Sequence, residues 1–117
     1  MTELNFNRLN WGDDEAVQLA VVLPLCAKLQ KLQLVTNRVG DRGAAALAGA
    51  VQGSATLKKL ILIDNQVGDA GAAALGEALK SNAALKELYL SGNQVGDDAK
   101  SKLRESVEGR EGFRLVV

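Results

Sequence analysis

The chain has 117 residues, 47% of them apolar, but its only aromatic residues are one tryptophan, one tyrosine and two phenylalanines, so its core must consist of leucine, valine and alanine. Fourteen basic and fourteen acidic residues cancel, which gives no reason to expect a nucleic-acid partner or a membrane surface. With no histidine and one cysteine, an internal disulfide and a Cys/His zinc site are excluded, and no cofactor is expected. No apolar run approaches the roughly 18 residues that cross a bilayer, so we expect a cytoplasmic protein.

One phrase recurs along the chain at a fixed interval. Residues 29–41, 57–69 and 85–97 each read Leu-x-x-Leu-x-Leu-x-x-Asn-x-Val-Gly-Asp, and a looser copy precedes them. The copies start 28 residues apart, and a constant period of this length predicts a solenoid, in which each repeat packs on the next. We expect a single domain with repeats at about 4–28, 29–56, 57–84 and 85–112 and a closing strand at 113–117.

Each repeat predicts a short strand followed by a turn. Leu32 and Leu34 alternate with Lys31, Gln33 and Val35, the period-two pattern of a strand with one buried face. The same pattern recurs at Leu60/Leu62 and Leu88/Leu90. An asparagine follows at positions 37, 65 and 93, where its amide can bond to backbone groups that the turn leaves unpaired. Leu9 takes this place in the first repeat and predicts an irregular turn there.

A helix is predicted after each Gly-Asp pair, with the aspartate as its N-cap. Apolar and small residues then follow at i, i+3, i+4 and i+7, the spacing of one buried helical stripe. These stripes are Ala16/Leu19/Ala20/Leu23, Ala44/Leu47/Ala48/Val51 and Ala72/Leu75/Gly76/Leu79. In the fourth helix, Lys100 and Arg104 enter the stripe, as expected of a capping repeat. At the N-terminal end of the array, Trp11 takes the place of a core valine, and its large ring is expected to cover the exposed end of the core as a plug.

The phrase Leu-x-x-Leu-x-Leu-x-x-Asn-x-Val-Gly-Asp, followed by Gly-Ala-x-Ala-Leu-x-x-Ala-Leu, resembles the leucine-rich repeat of the ribonuclease-inhibitor type. Similar repeats occur in the GTPase-activating protein of Ran and in NOD-like receptors. The resemblance implies an α/β fold, a short right-handed solenoid with a parallel β-sheet on its concave face and α-helices on its convex face. It also implies a concave face that binds other proteins.

The strand alternation identifies which side chains would line this concave face. Gln33, Ile61 and Tyr89 share one column with Asn5 and Val117, and Val35 and Ile63 share the next with Asn7 and Ser91. The apolar members predict a contiguous patch with Tyr89 as an anchor for a protein partner. The alternative is that they are ordinary strand-forming residues.

Charged residues flank this patch. Lys58, Lys86 and Arg114 are expected to form one column beside Lys31 and Lys59, which favours either an acidic partner surface or side chains that are simply solvated. Glu87 can offset part of this charge. The predicted partner-binding residues are Lys31, Gln33, Val35, Lys59, Ile61, Ile63, Glu87 and Tyr89.

Catalysis is not expected. The chain has no histidine to act as a base, Cys26 has no evident partner, and the recurrent aspartates of the Gly-Asp pairs are spread one per repeat. The glycine-rich phrases lack the spacing of phosphate-binding loops, so no small-molecule substrate is predicted.

Three functional hypotheses remain open. The first is a non-enzymatic module that binds a protein through the concave face. The second is a homodimer that pairs edge strands at residues 4–7 or 112–117. The third, a regulatory subunit of a larger assembly or of a GTPase, depends on fold analogy alone.

Overall fold

The computed structural model describes residues 2–117. Five three-residue strands form one parallel sheet in chain order, and each of the first four is followed by a helix. The strands are β1 (Glu3–Asn5), β2 (Lys31–Gln33), β3 (Lys59–Ile61), β4 (Glu87–Tyr89) and β5 (Arg114–Val116). The helices are α1 (Asp13–Val22), α2 (Asp41–Gln52), α3 (Asp69–Ser81) and α4 (Asp97–Ser106), with a 3₁₀ turn at Leu23–Leu25. The α/β solenoid expected from the repeats is confirmed.

The core lies between the sheet and the helices. Leu4, Leu32, Leu60 and Leu88 face one another across successive strand pairs, and the last three are fully buried. The predicted stripes of α2 and α3 are buried against them, whereas α1 buries only Ala16 and Leu19, and α4 only Leu103. The interior helices therefore pack on both neighbours, and the two terminal helices pack on one.

The predicted N-cap role of the aspartates was wrong. Glycine occupies the N-cap position of every helix, and the aspartate is the first helical residue. Its carboxylate reaches the next repeat instead: Asp41 Oδ1 accepts hydrogen bonds from the N–H groups of Gly68 (2.7 Å) and Gly71 (2.9 Å). Asp13 does the same for the repeat before. The aspartate thus satisfies free N–H groups at the start of the following helix.

Glycine at position 71 is required by this close approach. A Cβ there would lie 2.9 Å from both the Asp41 carboxylate and a Val67 methyl group. Gly43 occupies the same place one repeat earlier, but the fourth repeat has Ala99. Asp69 accordingly bonds only to Gly96, at 2.7 Å. A groove of about 710 Å³ opens between α3 and α4, beside this alanine.

The asparagines of the turns bond to backbone groups of the turns, as expected. The buried Asn65 donates to the carbonyls of Leu34, Leu62 and Ile63, and it accepts from the N–H of Val39 at 3.0 Å. The first turn is irregular, as predicted, because Asn10 adds a second left-handed residue to the one that every turn has. Trp11 stacks on Phe6, with ring centroids 4.6 Å apart, and packs against the core as the expected plug.

The closing strand is displaced by one residue from its predicted register. Leu115 pairs with Leu88, and Val116 pairs with Tyr89, whereas the 28-residue period predicted Val116 and Val117 at those places. Arg114 therefore lies beside Glu87 and not in the column of Lys58 and Lys86. The last return loop is one residue shorter than the others, and this shifts every following side chain by one column.

Candidate functional site

All eight residues predicted to bind a partner lie half-buried on one face of the sheet. They alternate with the buried leucines, so they project from the side of the sheet that no helix covers. They fall into three columns, since Lys31 faces Lys59 and Glu87, and Gln33 faces Ile61 and Tyr89. Val35 and Ile63 follow their strands at the third column. The structure therefore brings the predicted residues together on the concave face.

The C-terminal half of this face is apolar. Ile61 and Tyr89 are neighbours in one column, and Val116 completes it in place of the predicted Val117. Val35 and Ile63 border them one step along the strands. Neighbouring strands lie about 4.8 Å apart, so these five side chains form one contiguous patch. We call Val35, Ile61, Ile63, Tyr89 and Val116 the apolar patch.

One edge of the apolar patch is fixed by a polar contact that sequence reasoning missed. The Tyr89 hydroxyl donates to Glu87 Oε1 at 2.5 Å, and Lys59 Nζ lies 3.2 Å from Glu87 Oε2. The hydrogen bond from Tyr89 is the main cause that lowers the pKa of Glu87, and it likewise raises the pKa of Tyr89. The available signal was the i, i+2 spacing of Glu87 and Tyr89, which puts both side chains on one face of a strand.

The N-terminal half of the face is polar, and its groups bind one another. Gln33 donates to Glu3 Oε1 at 2.5 Å and accepts from the Asn7 amide at 3.3 Å. Asn7 Oδ1 in turn accepts from the backbone N–H of Val35 at 2.7 Å. Lys31 lies 3.8 Å from Glu3. This half of the face has little unsatisfied hydrogen-bonding capacity to offer a partner.

The predicted basic column is shorter than expected. Because Arg114 lies beside Glu87, only Lys58 and Lys86 remain in it. Both are exposed, and Lys86 Nζ donates to the carbonyl of Ala83 at 3.1 Å. With Lys31 and Lys59 each near a glutamate, the charge along this edge is partly compensated inside the protein.

Residues 2–117 contain no cluster of three or more histidine, cysteine, aspartate or glutamate side chains that could hold a metal ion. Across the same residues, every helix is too short or too polar to span a bilayer. Cys26 is a half-buried free thiol whose sulfur lies 3.8 Å from the carbonyl oxygen of Val22.

Comparison with known proteins identifies the repeats. A model described as "Leucine Rich repeat" matches residues 25–48, 53–76 and 81–103, which together make up more than half of the chain. The chain therefore belongs to the leucine-rich repeat family, and its repeats are of the ribonuclease-inhibitor type. No curated protein sequence matches the chain.

Two solved structures share the fold along the whole chain. A structure described as leiomodin-1 actin-binding site 2 superimposes with a TM-score of 0.90 at 23% identity, covering 99% of this chain and 69% of its own. The tropomodulin C-terminal domain of Caenorhabditis elegans superimposes with a TM-score of 0.88 at 16% identity, covering 100% of this chain and 73% of its own. At these identities the likeness shows a shared fold.

Proposed function

We propose that the chain is a non-enzymatic module that binds a protein partner across the concave face of its sheet, with the apolar patch as the main contact. The observation that carries the proposal is the patch itself. Five apolar side chains on neighbouring strands or just after them are only half-buried, and no helix among residues 2–117 covers them. Covering such a patch removes apolar surface from water and so favours association.

The polar half of the face is a poorer contact. A partner there would have to displace hydrogen bonds such as that between Gln33 and Glu3, and to replace each of them to break even. A partner that covers the apolar patch has only to displace water from it, because its aliphatic side chains form no hydrogen bonds that would need to be replaced. Tyr89 is also held in place by Glu87 before any partner arrives, which lowers the entropy lost on binding. Tyrosine is among the residues that most often dominate binding energy.

Actin is the partner that we propose to test first. The structure described as leiomodin-1 actin-binding site 2 shares the fold over 99% of this chain. The proposal places the module in the cytoplasm, where a single free thiol such as Cys26 is compatible with the reducing conditions.

The test is a titration of the fluorescently labelled chain with monomeric actin and with filaments, followed by anisotropy. Ile61→Asp should weaken binding by about thirtyfold, because a charge in the centre of an interface costs about 2 kcal/mol or more. The matched control is Ala73→Asp on the exposed face of α3, which should leave binding unchanged. Binding that Ala73→Asp weakens and Ile61→Asp does not would place the contact on the convex side and contradict the proposal. If the unsubstituted chain does not bind at all, actin is not the partner.

A further inference from the structure

Each of the five strands contributes one charged residue to the concave face, and these residues form a single column beside the apolar patch. In register, the column reads Glu3, Lys31, Lys59, Glu87 and Arg114. The next column on the same face lies two residues further along each strand, so the apolar patch begins about 7 Å away. We call these five residues the charged column.

Both acids of the charged column are already paired. Lys31 Nζ lies 3.8 Å from Glu3, and Lys59 Nζ lies 3.2 Å from Glu87 Oε2. The other oxygen of Glu87 accepts the hydrogen bond from the tyrosine hydroxyl of the apolar patch. Three bases therefore share two acids, and Arg114 is left over: within residues 2–117, no carboxylate lies within 4.0 Å of its guanidinium nitrogens.

The neighbouring rim of the sheet adds positive charge on the same side. Lys58 and Lys86 lie just before β3 and β4, and both are exposed. In the part of the chain that the structure describes, neither has a carboxylate within 4.0 Å, and Glu111, in the loop before β5, is no exception. The border of the apolar patch on the side where the strands begin is therefore positive.

A partner that covers the apolar patch also covers Arg114. Val116 belongs to the patch and follows Arg114 by two residues on β5, so both side chains project from the same face. Excluding water from an unpaired cation costs free energy unless the partner supplies the opposite charge. A carboxylate is the best match, because it accepts two parallel hydrogen bonds from one guanidinium.

We propose that the partner of the concave face is a protein segment that places an apolar side chain on the apolar patch and an aspartate or glutamate carboxylate on Arg114. This inference rests on the proposed function and adds the chemistry of the partner to it. Residues two apart on an extended segment are about 7 Å apart and match this spacing. The positive charge of Lys58 and Lys86 speeds the encounter with such an acidic segment.

The test is a selection from a random peptide library displayed on phage, with the full 117-residue chain as bait. We expect the selected peptides to share an acidic residue near an apolar one. With Arg114→Glu as bait, a basic residue should replace the acidic one. The matched control is Lys102→Glu on the exposed face of α4, which makes the same change in charge and should select the same peptides as the unsubstituted chain. Circular dichroism checks the folding of each variant.

A double-substitution experiment shows whether the contact is direct. A selected peptide is labelled with a fluorophore and titrated with the chain, and binding is followed by anisotropy. Arg114→Ala should weaken binding by about tenfold, because a charge-assisted hydrogen bond is lost. Replacing the peptide's carboxylate by an amide should weaken binding to the unsubstituted chain by a similar factor and should have no further effect on Arg114→Ala.

The outcomes separate this inference from the proposed function. Peptides that Ile61→Asp prevents from binding, but that lack an acidic residue or bind Arg114→Glu equally well, would overturn the carboxylate contact and leave the apolar patch as the binding site. Peptides that Ile61→Asp does not affect, or a selection that yields no peptide, would contradict the proposed function and this inference with it.

Discussion

The first and last helices of the solenoid differ in the side chains that they expose to water. A terminal helix has a neighbour on one side only, so its other side faces water. The last helix, α4, exposes charged residues there and buries only Leu103. The first helix, α1, exposes Val21 and Val22 at the corresponding place. The C-terminal end thus has the polar outer surface of a capping repeat, and the N-terminal end does not.

The return loops show the same contrast. Ser54, Asn82 and Arg110 occupy equivalent positions in successive repeats. Asn82 donates to three carbonyls of the preceding repeat, and Arg110 donates to the carbonyls of Leu79 (2.9 Å) and Leu85 (2.6 Å) and stacks on Phe113. Ser54 is too short to reach back, and a cavity of about 330 Å³ remains beside Cys26. In the return loops, side-chain hydrogen bonds to the preceding repeat are therefore present at Asn82 and Arg110 and absent at Ser54. Between the helices the order is reversed, since Asp69 bonds only to Gly96 and a groove opens between α3 and α4.

The largest effect should come from removing the hydrogen bonds that Asn82 makes to the preceding repeat. Asn82→Ala leaves the carbonyls of Val51, Gln52 and Ser54 without their donor and also removes the acceptor for two backbone N–H groups. We expect it to lower the free energy of unfolding by about 3 kcal/mol, since buried groups are left unsatisfied.

Urea unfolding followed by circular dichroism measures this loss. The matched control is Ser54→Ala in the same column, where only hydrogen bonds within one loop are removed. We expect that loss to be about 1 kcal/mol. Equal losses in the two variants would show that the interfaces do not differ in strength.

Arg110→Ala should have the next largest effect. It removes two charge-assisted hydrogen bonds and the cation–π contact with Phe113, whose ring centroid lies 4.7 Å from the guanidinium carbon. We expect a loss of about 2 kcal/mol in the free energy of unfolding. Arg104→Ala, on the exposed face of α4, is the control and should change it by less than about 0.5 kcal/mol. A loss below this limit for Arg110→Ala as well would mean that the C-terminal end is closed by apolar packing alone.

The smallest effect concerns the hydrogen bond between Tyr89 and Glu87 on the concave face. Tyr89 is the only tyrosine, so its ionisation can be followed by ultraviolet absorbance without overlap. Because its hydroxyl donates to Glu87, we expect its pKa to lie above the ordinary value of 10, and Glu87→Gln to lower it. A Tyr89 pKa that does not move in Glu87→Gln would show that this hydrogen bond does not form in solution.

The same contact predicts how pH changes stability. The pKa of Glu87 is lower in the folded protein than its ordinary value of 4.5, so its contribution is present above pH 4.5 and is lost as pH falls through the folded-state value. The pKa of Tyr89 is raised, so its contribution is fully present below pH 10 and is lost as pH rises through the folded-state value. Both side chains are partly exposed, so the change in stability should be small.

Much of this architecture could be predicted from sequence because the repeat leaves few alternatives. Leucines at 32, 60 and 88 recur at a fixed spacing, and stacked repeats put equal positions side by side, so the columns of the concave face followed directly. The role of Asp41 could not be read in this way. An aspartate at a helix start suits its own helix, and only the distance between repeats shows that its carboxylate reaches the next one.

The 28-residue repeat also did not predict the one-residue shift of the last strand. Residues 107–113 form a return loop with no glycine-aspartate pair after it to fix the register, so the period was extended one step too far. The contact of Tyr89 with Glu87 depends on side-chain rotamers, which spacing does not determine. The exposure of Val21 and Leu25 needed the packing of α1 to be known, because the sequence alone shows an apolar run in register with buried ones.

The most direct test of the central claim, that a protein partner contacts the apolar patch, is photo-crosslinking to actin. A photoreactive residue replaces Ile63 on the concave face in one variant and Ala73 on the exposed face of α3 in another. The proposal predicts a covalent adduct with actin from position 63 and none from position 73. An adduct from position 73 alone would contradict it, because the partner would then lie on the helices and leave the sheet uncovered.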